Sequence, residues 1–269
     1  MTDRYAVIGN PVSHSKSPQI HKMFAEQTGE DIRYEAILAP LDGFAATVER
    51  LRREGFKGCN VTLPFKQVAY QLSNQKQYMS YDVVHAHAAN TLVFSNDGVH
   101  LYNTDGTGLI RDIQDNRGVG WRGKRVLLMG AGGAARGVLS PLRDAGANIT
   151  VANRTVDKAV ILAERFAVSS CSYAELAGKQ FDVVINATSS GLSDEMPPLP
   201  EGVFAPSALA YEMMYGRETP FMKFAREHGV AAVTDGLGML VEQAAESFHI
   251  WRGVRPQTAP VIAALRAGQ

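Results

Sequence analysis

The sequence predicts an α/β protein with two open, mostly parallel sheets. Two stretches of the chain, residues 5–63 and 124–251, alternate short apolar runs with helical patterns. This alternation is typical of strands that are joined by crossover helices. The 269 residues are enough for one large domain or for two domains of modest size.

The first stretch supplies three predicted strands, each a short apolar run that ends at turn-forming residues. Ser17 and Pro18 are typical of a helix start, with Ser17 as the N-cap, because proline at the first helical position loses no intrahelical hydrogen bond. The predicted order is strand 5–8, helix 18–28, strand 34–38, helix 41–54 and strand 58–63.

A less regular region follows and ends in a predicted β-hairpin. Residues 67–89 are polar and then histidine-rich, and we expect a helix, a loop and a second helix there. The apolar runs 91–94 and 100–102 flank an Asp-Gly pair at Asp97 and Gly98. Because that pair suits turn positions with positive φ, the two runs are predicted to pair as a hairpin.

The second stretch contains the strongest local motif, in which small residues in the pattern G-x-G-x-x-A directly follow a strand and open a helix. Such residues permit a tight turn and let a pyrophosphate reach the free N–H groups of the helix. The predicted elements are strand 124–129, turn and helix 130–145, strand 148–152, helix 156–166, strands 181–185 and 208–211, and helices 220–229, 238–251 and 260–266.

The end of the next strand favours NADP over NAD. An NAD enzyme usually has a carboxylate there to bind the ribose hydroxyls, whereas this chain has Asn153, Arg154 and Thr155. A guanidinium can bind the 2′-phosphate of NADP bidentately, and Lys158 adds a second positive charge one turn into the next helix. The alternative is that Arg154 is an ordinary solvated arginine.

Two polar clusters are candidates for substrate and catalytic groups. Ser15 and Ser17 precede a helix N-terminus that can hold a carboxylate, although they equally suit a turn and a cap. Thr62 and Lys66 lie near the carboxyl end of a strand, where open sheets bind ligands and a desolvated lysine can serve acid–base chemistry. Asp105 either pairs with Lys66 or caps the following helix, and spacing alone favours the cap slightly.

Composition argues against several classes of protein. The 27 Lys and Arg balance the 27 Asp and Glu, so the chain lacks the cationic excess of nucleic-acid binders and membrane-surface proteins. No apolar run approaches the roughly 18 residues of a membrane span, and the first residues do not resemble a secretion signal, so we expect a cytoplasmic protein. His85 and His87 would share one face of a strand, but a third ligand is not evident and no metal site is expected.

Taken in order, these segments resemble the shikimate dehydrogenase family, the NADPH-dependent enzymes of aromatic amino-acid biosynthesis. The resemblance spans nearly the whole chain, and several of its motifs are specific as an ordered set. The matching segments are residues 9–11, 15–18, 60–62 with 64–66, 90–92, 103–106, 130–133, 153–155, 186–189 and 235–240 with Gln243.

The resemblance implies reversible reduction of 3-dehydroshikimate to shikimate in a cleft between two domains, with Lys66 and Asp105 as the catalytic pair. It implies a substrate domain (residues 1–104 and 237–269) and a Rossmann-type NADP-binding domain (residues 105–236), with the last helices returning to the first domain. It assigns substrate contacts to Ser15, Ser17, Thr62, Asn90, Tyr215 and Gln243. With the two cofactor motifs, the expected NADP site comprises Gly130, Ala131, Gly132, Gly133, Ala134, Asn153, Arg154, Thr155, Lys158, Met213 and Gly236.

The chain departs from the family pattern in the spacing between Lys66 and Asn90, which is a few residues longer, and at Glu212, where the family usually has Asp. Two alternatives stay open. One is a quinate or quinate/shikimate dehydrogenase that uses NAD, although Ser17 and Arg154 favour shikimate with NADP. The other is a catalytically silent, NADP-binding regulatory protein, which would be free to lose the catalytic pair. The expected partner is a small-molecule substrate, bound by a monomer or homodimer.

Overall fold

The computed structural model describes residues 2–73, 75–188 and 195–268, and the chain divides into two compact units. Unit 1 comprises Met1–Gly108 and Val241–Gln269, and unit 2 comprises Leu109–Leu240. Both boundaries fall inside helices, four residues after the positions expected from the sequence. Of the segments compared above, Ser189 lies outside the described residues.

Unit 1 is built on a five-stranded sheet with the order β2-β1-β3-β4-β5. The strand β1 pairs in parallel with β2 and β3, and the predicted hairpin of β4 and β5 is confirmed as an antiparallel pair. The elements are β1 (Asp3–Gly9), α1 (Ser17–Thr28), β2 (Ile32–Leu38), α2 (Phe44–Arg53), β3 (Gly58–Val61), α3 (Lys66–Tyr70), α4 (Tyr81–Ala86), β4 (Thr91–Ser95), β5 (Gly98–Tyr102) and α5 (Asp105–Arg111).

The start of α1 differs from the predicted start by one residue. Lys16 already has helical backbone angles and occupies the N-cap, so Ser17 is the first helical residue and the prediction of Ser17 as the cap was wrong. The Ser15 hydroxyl instead accepts the N–H of Ser17 at 3.3 Å. The helix buries Ser17 together with its apolar face, and therefore holds this serine against the sheet.

Between β3 and β4 the chain forms the helix α3, a 3₁₀ turn (Lys76–Tyr78) and the helix α4, as predicted in outline. His87 ends α4 with a φ of 51°, so His85 and His87 do not lie on a strand. The N–H of Ala89 donates to the carbonyl of Lys66 at 2.9 Å. The two ends of the segment between Lys66 and Asn90 are therefore held close together, and its extra residues do not separate Lys66 from Asn90.

The last part of the chain completes the core of unit 1, as the resemblance implied. The helix α9 (Leu237–Arg252) enters this unit at Val241, and α10 (Ala259–Ala267) follows it. The ring of Trp251 stacks on Tyr5 with centroids 4.6 Å apart, and Phe248 packs against Phe24 at 5.7 Å. Among the described residues, the helices are all too short or too polar to span a membrane.

Unit 2 is a six-stranded parallel sheet with the order β11-β10-β9-β6-β7-β8. The two edge strands, β8 and β11, were not predicted, because each has three residues and shows little periodicity. The elements are β6 (Arg125–Met129), α6 (Gly133–Asp144), β7 (Asn148–Ala152), α7 (Val156–Phe166), β8 (Ser169–Cys171), β9 (Phe181–Asn186), β10 (Phe204–Glu212), α8 (Pro220–Glu227) and β11 (Ala232–Thr234).

Candidate active site

Lys66 and Asp105 form an ion pair in unit 1. The Nζ of Lys66 lies 2.6 Å from Oδ2 of Asp105, and the side chains are 24% and 8% exposed. Lys66 begins α3 shortly after β3, and Asp105 begins α5 after β5. The carboxylate therefore pairs with the lysine, and the capping role that the spacing favoured slightly is wrong. An ammonium held at this partly open position can exchange a proton with a ligand.

The Asn90 side chain holds the other oxygen of this carboxylate. Its Nδ2 donates to Oδ1 of Asp105 at 2.9 Å, to Oγ1 of Thr104 at 2.9 Å and to Oε1 of Gln243 at 3.2 Å. Its Oδ1 accepts the N–H of Thr104 at 2.9 Å. The structure thus brings together Asn90, Gln243 and the ion pair, although they are distant in sequence.

Of the remaining substrate candidates, three lie in unit 1 and one lies in unit 2. Ser15 and Ser17 stand together at the start of α1, and Thr62 follows β3, half-buried, with its N–H bonded to the carbonyl of Ile8 at 2.9 Å. Tyr215 belongs to unit 2, where burial raises its pKa above the usual value for a phenol.

The turn between β6 and α6 fits a dinucleotide phosphate. Gly130 has a φ of +106°, which favours glycine. A Cβ added at Gly132 or Gly133 would meet nothing within 4 Å, so the outer side of the turn is open. The N-cap of α6 is Gly132, which has no side chain to cap the first N–H groups, and these groups suit an anion. Ala131 is buried and Ala134 is exposed on the same turn.

The loop after β7 fits the 2′-phosphate of NADP. Arg154 is 87% exposed, and its NH1 lies 3.5 Å from the carboxylate of Glu195. An exposed ion pair of this kind contributes little, so the guanidinium can exchange it for a phosphate. Asn153 donates to the carbonyl of Thr155 at 2.9 Å and shapes the loop, while Lys158 is exposed one turn into α7.

Met213 and Gly236, both expected at the nicotinamide, lie against each other in unit 2. A Cβ added at Gly236 would come within 2.2 Å of the Met213 carbonyl oxygen, so only glycine permits this approach. Glu212 precedes this turn as a fully buried carboxylate, and burial raises its pKa. It accepts from the N–H of Met214 at 3.0 Å and from Oγ1 of Thr219 at 2.8 Å, and it thereby fixes the turn.

Sequence reasoning missed the polar network next to the ion pair. It consists of the half-buried Tyr34 and the buried Asn60, Thr91, Thr104 and Ser247. The available signal was a polar residue in the middle of an apolar strand, since Asn60 follows the buried Cys59 and precedes the buried Val61. Within the part of the chain that the structure describes, there is no group of three or more His, Cys, Asp or Glu side chains placed to hold a metal ion.

Comparisons with known proteins agree over nearly the whole chain. Models of the shikimate dehydrogenase substrate binding domain, the shikimate / quinate 5-dehydrogenase and the shikimate 5′-dehydrogenase C-terminal domain match residues 7–92, 109–193 and 236–266. A shikimate dehydrogenase (NADP(+)) of Methylobacillus flagellatus is 58% identical over 98% of this chain and 99% of the relative.

Two solved structures share the fold. The crystal structure of an Ael1 enzyme from Pseudomonas putida has a TM-score of 0.93 and 47% identity, with 98% of both chains covered. A shikimate 5-dehydrogenase from Thermus thermophilus, solved in complex with NADP(H) and shikimate, has a TM-score of 0.89 and 32% identity, with 100% of both chains covered.

Proposed function

The chain belongs to the shikimate dehydrogenase family and is an NADP-dependent oxidoreductase of shikimate, and we propose that Lys66 and Asp105 are its acid–base pair. In the direction of reduction, the ketone carbon of 3-dehydroshikimate accepts a hydride and its oxygen accepts a proton. The observation that carries this proposal is the 2.6 Å contact between the Lys66 ammonium and a carboxylate that Asn90 holds from its other side.

When bound, NADPH supplies the hydride. The Lys66 ammonium donates a hydrogen bond to the developing alkoxide and then a proton, and in oxidation the neutral amine takes the proton back. Asp105 accepts from Lys66 through Oδ2 and from Asn90 through Oδ1, so it fixes the direction in which the ammonium points. A catalytically silent regulatory protein would not need this pair.

The proposal assigns the substrate carboxylate to Ser15 and Ser17, because hydroxyls at a helix start bind anions well. Thr62, Asn90, Tyr215 and Gln243 complete the proposed substrate contacts. For NADP, the turn of Gly130, Ala131, Gly132, Gly133 and Ala134 holds the pyrophosphate, and Asn153, Arg154, Thr155 and Lys158 hold the 2′-phosphate. Met213 and Gly236 lie beside the nicotinamide. The proposed enzyme acts in the cytoplasm as a monomer or homodimer.

Substitution of Lys66 tests the pair. We expect Lys66→Ala to lower kcat by about 10²- to 10⁴-fold, the usual effect of a positioned acid–base group, with a much smaller change in the KM for shikimate. The matched control is Lys57→Ala, an exposed lysine of the same unit, which should keep normal kinetics. Near-normal turnover of Lys66→Ala in the steady-state NADP assay would remove the lysine from the mechanism.

A further inference from the structure

Asn60 is the centre of a buried hydrogen-bond network in unit 1. It lies on β3 and is 6% exposed. Its Oδ1 accepts the Tyr34 hydroxyl at 2.7 Å. Its Nδ2 lies 3.0 Å from Oγ1 of Thr91, 3.0 Å from Oγ of Ser247 and 3.1 Å from the carbonyl oxygen of Asn90. Both ends of the amide are therefore engaged, and its orientation is fixed.

The network continues from Thr91 to the catalytic pair. The Thr91 hydroxyl donates to Oδ1 of Asn90 at 2.9 Å, which the N–H of Thr104 also approaches at 2.9 Å. With this oxygen occupied by donors, the Nδ2 of Asn90 must face Oδ1 of Asp105. Lys66 binds the remaining oxygen, Oδ2. The Asn60 amide thus sets the direction in which the Thr91 hydroxyl donates, and that hydroxyl sets the orientation of the Asn90 amide. If the Asn90 amide were reversed, its oxygen would face the carboxylate oxygen of Asp105, and two acceptors would meet.

At its other end the network reaches the start of α1. The Tyr34 ring stacks on the buried His21 ring with centroids 4.1 Å apart and planes 6° apart. Ser17 and His21 are both buried residues of α1, four positions and thus about one helical turn apart, so the Tyr34 ring packs on the face of the helix that carries Ser17. Tyr34 therefore joins Asn60 to the face of α1 that carries Ser17.

We propose that Asn60 and Tyr34 are positioning residues, which align the Lys66–Asp105 pair with the serine that receives the substrate carboxylate. Neither residue touches the substrate. Asn60 acts through Asn90, and Tyr34 acts through Asn60 and through its stack on His21, one turn after Ser17 in α1. The inference rests on the roles proposed above for Lys66, Asp105 and Ser17.

Asn60→Leu tests the central residue, because leucine has a similar shape and cannot form hydrogen bonds. We expect kcat to fall on the order of 10- to 100-fold, as misplacement of a catalytic group does, with less than about a 3-fold change in the KM for shikimate. The value of kcat is normalised to the fraction of enzyme that binds NADPH. Thr47→Val is the matched control, since Thr47 is buried in α2 of the same unit and its hydroxyl donates to the carbonyl of Gly43 within the same helix start, at 2.9 Å.

A double variant separates positioning from general damage. If Asn60 acts through the pair, Asn60→Leu should lower the residual turnover of Lys66→Ala by less than about 3-fold, because the group it aligns is already gone. A full multiplication of the two effects would overturn the proposal, as would wild-type kcat in the folded single variant. Lys66→Ala alone reports on the proposed pair, and the ratio of double to single variant reports on Asn60, so the two proposals fail separately.

Tyr34→Phe keeps the test valid if Asn60→Leu does not fold, because it removes a single hydroxyl and retains the stacked ring. We expect a several-fold lower kcat, because the hydroxyl that orients Asn60 is lost, with less than about a 3-fold change in the KM for shikimate, because the stack on α1 is kept. An unchanged kcat in the folded variant would contradict the proposed role of Tyr34.

Discussion

Arg154 is the residue by which we expect the enzyme to distinguish NADP from NAD. Hydrogen bonds to charged groups contribute roughly 1.5–3 kcal/mol, so Arg154→Ala should lower kcat/KM for NADP by about 10- to 150-fold. Because the side chain is 87% exposed, solvent screening places the loss near the lower end of that range. The value for NAD, which has no 2′-phosphate, should change by less than about 2-fold.

Substitution of Glu195 should have the opposite effect and strengthen the contact between Arg154 and the 2′-phosphate. Its carboxylate lies 3.5 Å from the Arg154 guanidinium and competes with the 2′-phosphate for it. Exposed ion pairs contribute up to about 1 kcal/mol, so Glu195→Gln should raise kcat/KM for NADP by up to about 5-fold. In the Arg154→Ala background this substitution should have no comparable effect.

The assay is kcat/KM with NADP and with NAD for the wild type and these variants, over a series of salt concentrations. The preference for NADP should shrink as salt rises, because an exposed phosphate contact is screened. Equal losses with both cofactors in Arg154→Ala would show that Arg154 supports the fold of the loop, and the assignment of the phosphate site would fail.

Two further predictions concern buried positions. Burial lowers the pKa of His21 to about 3, so the folded protein keeps this imidazole neutral while the unfolded chain protonates it below about pH 6.5. The contribution of His21 to stability is therefore complete above about pH 6.5 and is lost progressively as the pH falls towards 3. The free energy of unfolding of the wild type, measured by urea titration, should therefore decline by about 1.4 kcal/mol per pH unit relative to His21→Phe over this range, and parallel curves would contradict the reasoning. Gly236→Ala must displace Met213 and should lower kcat/KM for NADP by about 10-fold, whereas Gly120→Ala, which meets nothing within 4 Å, should be neutral. Equal kinetics of these two glycine variants would exclude a role for the close contact.

The sequence predicted most of the strands and helices, because apolar periodicity and turn residues act locally. It failed at the three-residue edge strands β8 and β11, which are defined by their neighbours in the sheet. It also favoured a cap at Asp105, because spacing along the chain does not show that β3 and β5 are separated only by β4. The choice between pairing and capping depends on strand order, and strand order is a property of the whole sheet.

Motifs located the candidate residues, yet they did not show what orients them. Ser247 is more than 150 positions away from its partner Thr91, which lies 2.8 Å from it in the structure. Such contacts are set by tertiary packing, and no local pattern encodes them. The polar residue within β3 was a local sign that this part of the sheet contains more than apolar packing.

The order of the elements along the chain has a consequence for synthesis on the ribosome. Unit 2 is continuous, Leu109–Leu240, and its strands are all present before α9 is finished. Tyr5 and Phe24 emerge early, but their partners Trp251 and Phe248 emerge only after the whole of unit 2. The amino-terminal aromatic side chains therefore stay without their final neighbours while the second unit folds. Unit 1 begins to be translated first, but its core is completed last, when the final turns of α9 supply Phe248 and Trp251.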